Sequence, residues 1–184
     1  YVPAPLRKTE VHGMSQSMRE DAAAALEALF AAAKSEAGYS LSSVSGYRSY
    51  AKQATIYQRK KATTGSVEKA DALVARAGTS EHQLGMAMDI AKKGSSNLNA
   101  GFGKTKEGKW VYENCHRFGF IVRYLEGFED VTGYSYEPWH IRYVGEEQAK
   151  AIYESGVPME TYLSAYRLDI GDYLIHQATN EVRP

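Results

Sequence analysis

The chain has 184 residues, 22 basic against 22 acidic side chains, and a hydrophobic share of 43%. That length suits one domain with one sizeable core, and the cancelled charge gives no call for nucleic acid or an anionic membrane as partner. No run of about 20 apolar residues is present, which excludes a bilayer-spanning helix in this chain, and the lone Cys115 excludes an internal disulfide.

Residues 1–14 carry Pro3 and Pro5 without sustained periodicity, so an extended arm is expected there. Ser17 stands three before Glu20 as a capping box. Met18, Ala22, Leu26, Leu29, Phe30 and Ala33 then recur at helical spacing up to Gly38, predicting a helix over 17–36. The stretch 39–47 reads as a short strand leading into Ser45-Gly46-Tyr47-Arg48-Ser49, after which Ser49 can cap a helix to about Lys61. Arg48 is thereby set at a strand-to-helix junction, where scaffolds often present functional side chains. A third helix is expected over 66–77, capped by Ser66 and stopped by Gly78.

The run from Gly85 to Ile90 suits a buried strand, yet it holds Asp89 where a core strand would take valine, and a buried carboxylate needs a partner. Residues 92–108 read as a long polar loop, and a helix from Trp110 to Arg117 ends at Gly119. Strands return at Phe120–Tyr124 and His140–Val144, with Gly127, Gly133 and Pro138 between them. Two helices follow near 146–154 and 158–166, and 168–184 is a tail without a clear pattern. The order of elements predicts an α+β fold, a small, mainly antiparallel sheet flanked by helices.

A catalytic zinc site takes three ligands from His, Asp, Glu and Cys and leaves a position open. His82 and Asp89 lie seven apart around Gly85, so a turn and the next strand can bring both to one side. His140 follows Glu137 by three, with Pro138 stiffening the link, which matches a ligand beside a proton-handling glutamate. Spacing leaves another reading open: a hydrogen-bonded core histidine, a capping aspartate and a surface loop with a packed tryptophan. The His-Glu-x-x-His helix signature is absent. His12, His116 and His176 read as surface or capping residues.

Three motifs, Ser45-Gly46-Tyr47-Arg48-Ser49, Ser80-Glu81-His82-Gln83-x-Gly85-x-Ala87-x-Asp89 and Glu137-Pro138-Trp139-His140-Ile141-Arg142-Tyr143-Val144-Gly145, occur in this order. In that respect the chain resembles the VanY-like D-alanyl-D-alanine carboxypeptidases, a group that includes L,D-carboxypeptidases of peptidoglycan tetrapeptides. The resemblance covers about residues 15 to 165. It implies one zinc ion on His82, Asp89 and His140, Glu137 as base, and Arg48 reaching toward the scissile carbonyl. It also points to Gln53, Tyr124, Ser80 and Trp139 as substrate contacts, and sets the zinc site on the sheet.

The implied activity is removal of a C-terminal D-alanine from a peptidoglycan stem peptide, with the D,D bond preferred to the L,D bond on the family's name. The implied place is outside the cytoplasmic membrane, in the cell wall or anchored through a segment absent from this chain, and a monomer is expected. Residues 15–167 would form the catalytic domain, with 1–14 as arm and 168–184 as a tail of unassigned role. Two alternatives stay open: an endopeptidase of peptidoglycan on the same scaffold, and a peptidoglycan-binding module with a structural zinc. Two positions depart from the family pattern. Ala77 precedes Gly78 where proline is common, and Leu84 follows the motif glutamine, where it would narrow the pocket rim.

Overall fold

The computed structural model describes residues 1–165 and 167. The tail 168–184, with His176, lies outside the described residues.

Two antiparallel sheets form. β1 (Leu6–Lys8) pairs with β2 (Ser17–Arg19). The main sheet has the order β3 (Leu41–Ser45), β4 (Ala87–Lys92), β6 (Glu137–Tyr143), β5 (Phe120–Tyr124). Helices α1 (Glu20–Ala37), α2 (Tyr50–Thr64), α3 (Val67–Asp71), α4 (Lys106–Asn114), α5 (Glu129–Thr132) and α6 (Glu146–Ser155) surround it. Residues 159–165 are helical as well. Among the described residues no helix is long and apolar enough to cross a membrane.

Side chains alternate across a strand, so each strand of the main sheet faces two ways. Met88, Ile90, Ile141, Phe120 and Val122 turn to one face and pack on Leu26 and Leu29 of α1 in the main core. The opposite face takes Asp89, His140 and Arg142, and at its β5 end Ile121 packs on Ala149 and Ile152 of α6.

Several expectations need correcting. The Ser17/Glu20 capping box does not form: Ser17–Arg19 is a strand, and α1 begins at Glu20 without a side-chain cap. Pairing with β1 takes those backbone groups, and the Ser17 carbonyl accepts from Tyr47 N–H at 2.8 Å. The arm is therefore ordered into a sheet, and Gly13 bridges to Ser43. The third helix stops at Asp71 because the carbonyls beyond it find tertiary partners. Ala72 O accepts from Ser135 N–H at 3.1 Å, and Ala75 O accepts from the Gln53 amide at 2.7 Å. The supposed loop 92–108 contains a 3-10 turn, Ala100–Lys104, and the start of α4. Thr105 caps α4 by accepting from Gly108 N–H at 3.0 Å, and a Cβ at Gly108 would lie 2.0 Å from Phe102 O, so the glycine is there for close packing. Pro138, expected in a loop, lies within β6. Ser49 caps α2 as expected, accepting from Lys52 N–H at 3.2 Å.

Candidate metal and catalytic site

The site starts from one residue pair in the sheet. Asp89 of β4 and His140 of β6 are direct cross-strand partners, so their side chains emerge side by side on the same face. His82 reaches them from the 3-10 turn Glu81–Leu84, which Gly85 ends in the left-handed conformation at φ 68°. A Cβ at Gly85 would press within 2.9 Å of Leu6, so space and backbone both favour glycine. The turn is stitched to the β3–α2 junction twice. Arg48 N–H donates to His82 O at 3.1 Å, and His82 Nδ1 lies 2.8 Å from Gly46 O. Gly46 is itself held close to β2, since a Cβ there would meet Ser17 O at 2.7 Å.

In a regular strand, residues three apart face opposite ways, so Glu137 and His140 would not share a pocket. The pairing of β5 with β6 is irregular here: Val122 pairs with Ile141 but Tyr124 with Glu137, leaving β6 with extra residues between. That bulge turns both side chains to the cavity and brings Glu137 Oε2 to 3.9 Å from His140 Nδ1. A second irregularity, between Ser43 and Ser45 of β3, lies at the other flank and precedes Arg48.

His82, Asp89 and His140 are all buried, and their donor atoms lie within 4.8 Å of one another. His82 Nδ1, donating to Gly46 O, leaves Nε2 as its lone pair, 3.4 Å from Asp89 Oδ2. His140 Nδ1 sits 3.0 Å from Asp89 Oδ1. Two imidazole nitrogens and a carboxylate oxygen converging in a buried pocket are the donor set and number of a catalytic zinc site, so the residues fit that ion. Arg48 makes an ion pair with Asp89 through Nη2, and its Nε donates to Ser45 Oγ at 2.8 Å.

Electrostatics separates the carboxylates. Burial would raise Asp89, but His82 and His140 beside it hold it far below the usual range. For Glu137 burial wins and the Asp89 charge adds to it, lifting the group to about 7 against the pull of His140, Arg48 and Lys60. Burial would lower His140, yet the Asp89 and Glu81 carboxylates beside it hold it up to about 9. Burial lowers His82. A base poised near neutrality beside a three-donor metal pocket is the arrangement of a hydrolytic centre.

One cavity of about 310 Å³ is lined by all nine residues singled out in the sequence: Arg48, Gln53, Ser80, His82, Asp89, Tyr124, Glu137, Trp139 and His140. Gln53 is fully buried, and its Oε1 has no hydrogen-bond partner. The Tyr124 ring lies 5.0 Å from that of His140 and 4.7 Å from that of Tyr134. Leu84, expected at the rim, is not among the lining residues. Sequence reasoning missed Lys60, Tyr134 and Glu81, which line the cavity, and Arg123, which pairs with Glu81 from behind it. A signal existed for Arg123, a cation inside the otherwise apolar Phe120–Tyr124 strand.

The profile of the VanY family, described as D-alanyl-D-alanine carboxypeptidase, matches residues 15–146. This chain belongs to the VanY family. It is 48% identical over 146 residues to the putative carboxypeptidase YodJ of Bacillus subtilis (strain 168), covering 79% of this chain and 53% of that protein. The LdcB LD-carboxypeptidase structure superposes with a TM-score of 0.82 at 43% identity, covering 89% of this chain and 79% of that one. A vancomycin resistance D,D-pentapeptidase VanY in complex with Zn(II) superposes with a TM-score of 0.71 at 37% identity, covering 88% of this chain and 93% of that one. The chain spans about half the length of the first two curated relatives that it matches.

Proposed function

We propose that this VanY-family chain is a zinc carboxypeptidase that removes a C-terminal D-alanine from peptidoglycan stem peptides outside the cytoplasmic membrane. It acts as a monomer, with residues 15–167 as the catalytic domain. The observation that carries the proposal is the buried His82, Asp89, His140 donor set with Glu137 lining the same cavity. The solved VanY complex with Zn(II), at 37% identity, supports zinc as the ion.

A zinc ion held there supplies Lewis acidity, lowering the pKa of water and polarising the scissile carbonyl. Glu137 would accept the proton of the attacking water at its carboxylate and hand it to the leaving amine. Arg48, in the cavity beside Asp89, offers donors to the oxyanion, a contribution of about 3 to 4 kcal/mol for a well-placed donor. Gln53 and Tyr124, with Ser80 and Trp139, bind the terminal residue. The amide of Gln53 is locked on Ala75 O at 2.7 Å, so its carbonyl oxygen is held ready for an N–H of the peptide.

The first reading of the bond is D-Ala-D-Ala of a pentapeptide. One observation favours a second, L-residue-D-Ala of a tetrapeptide: the TM-score of 0.82 with the LD-carboxypeptidase LdcB exceeds the 0.71 with VanY. Mass spectrometry of defined muropeptides treated with the zinc-loaded chain tests the proposal. Loss of one alanine from the pentapeptide supports the D,D reading, and loss from the tetrapeptide supports the L,D reading. Cleavage that survives amidation of the C-terminus means an endopeptidase. Zinc binding without any cleavage means a binding module.

A further inference from the structure

Behind the ligands lies a chain of charged side chains. His140 Nε2, the ring nitrogen facing away from Asp89, stands 3.5 Å from Glu81 Oε2. Both atoms are buried and neither has a hydrogen-bond partner, so each is the other's available complement. The other oxygen of Glu81 is held by Arg123 Nε at 2.8 Å and lies 3.3 Å from Arg142 Nη1. Arg123, only 8% exposed at its side chain, turns its two remaining nitrogens onto Glu160 at 2.9 and 2.6 Å. Glu160 belongs to the helical residues 159–165, and the Arg123 guanidinium lies 5.1 Å from the centroid of the Tyr124 ring.

We propose that Glu81 is a positioning residue for His140: it takes the Nε2–H, commits Nδ1 to the metal, and is itself fixed through Arg123 to Glu160. The two histidines are thereby set by different acceptors. His82 rests on a neutral carbonyl, Gly46 O, and presents Nε2, whereas His140 rests on a carboxylate and presents Nδ1. A carboxylate behind a ligand histidine fixes its tautomer and raises its basicity, so His140 is the stronger of the two donors. Because Arg123 spans from Glu81 to Glu160, the helical residues 159–165 form part of the metal centre although none of them lines the cavity. The salt links are short, and a bidentate Arg–carboxylate pair holds geometry better than a single contact, so Glu160 orients Arg123 and Arg123 orients Glu81.

The inference rests on the assignment of His82, Asp89 and His140 as ligands, and the test separates the two. Zinc affinity of the full chain is measured by competition with a chromophoric chelator, beside thermal melts of each variant. Glu81→Ala is expected to weaken zinc binding by about 10–100-fold. Glu81→Gln, whose carbonyl still accepts the Nε2–H, is expected to recover part of that loss. Glu160→Gln gives a smaller loss in the same direction. Zinc-loaded protein labelled with ¹⁵N-histidine is expected to show His140 coordinated through Nδ1, a readout that a merely structural role would not move.

Coordination through Nε2 in the parent chain overturns the inference. So does parent affinity in Glu81→Gln and Glu160→Gln, which also decide the matter if Glu81→Ala, leaving Arg123 and Arg142 short of a partner, does not fold. If His140→Ala itself leaves zinc affinity unchanged, the ligand assignment fails instead.

Discussion

The two faces of the four-stranded sheet are built from the same strands and follow opposite rules. On the α1 face, Met88, Ile90 and Ile141 are fully buried among Leu26 and Leu29, and volume and shape decide the energy. On the other face, Asp89 and His140 are buried almost as deeply, at 2% and 4% exposure, yet they are polar. They persist because each is paired: Asp89 with Arg48, His82 and His140, and His140 with Asp89 and Glu81. One face stabilises the fold, and the other holds charge in a fixed geometry that the first makes rigid.

Breaking the polar face should cost function outright. Asp89→Ala removes the proposed central ligand, and metal analysis after dialysis is expected to find the zinc lost and muropeptide turnover gone. Retained zinc at parent affinity would remove Asp89 from the ligand set.

Breaking the apolar face should cost stability and spare the metal. Leu29→Ala is expected to lower unfolding free energy by about 2–5 kcal/mol in denaturant melts. The folded fraction should keep parent zinc affinity. A large affinity change there would mean that the two faces are not separable.

A pH series sharpens the contrast, because only the polar face titrates near neutrality. His140, held up to about 9 by Asp89 and Glu81 against an ordinary 6.5, favours the folded state while protonated. Its contribution is complete below about 6.5 and is lost as pH rises through 9. Burial of Glu137 acts in the same direction between 4.5 and about 7. The melting temperature of the zinc-free chain should therefore fall from pH 6.5 to 9, while zinc, which competes with the His140 proton, should stabilise more as pH rises. A zinc-free melting temperature that climbs across this window would contradict the pairing.

The sequence made the apolar face easier to read than the polar one. Leu26, Leu29 and Ala33 carry a helical period and Phe120–Tyr124 is rich in β-branched and aromatic residues, so elements packed by burial could be placed from spacing. The proposed ligands were visible as residue types and, through three motifs in order, as a resemblance. Their convergence was not visible. It depends on the register that sets Asp89 opposite His140 and on the bulge that turns Glu137 to the same side, both long-range pairings. The same reason hid β2: Ser17-x-x-Glu20 has the local pattern of a helix cap, and pairing with Leu6–Lys8 overrode it. Glu81 was quoted within a motif, but its tie to Arg123, 42 residues away, is a contact that no local pattern carries.

The central claim is that His82, Asp89 and His140 hold the ion while Glu137, beside them, moves the proton. The most direct test is zinc content and turnover measured together on Glu137→Ala. One zinc per chain with turnover reduced by about 10²–10⁴-fold is the predicted result. Full turnover in that variant, or loss of its zinc, would contradict the division of roles.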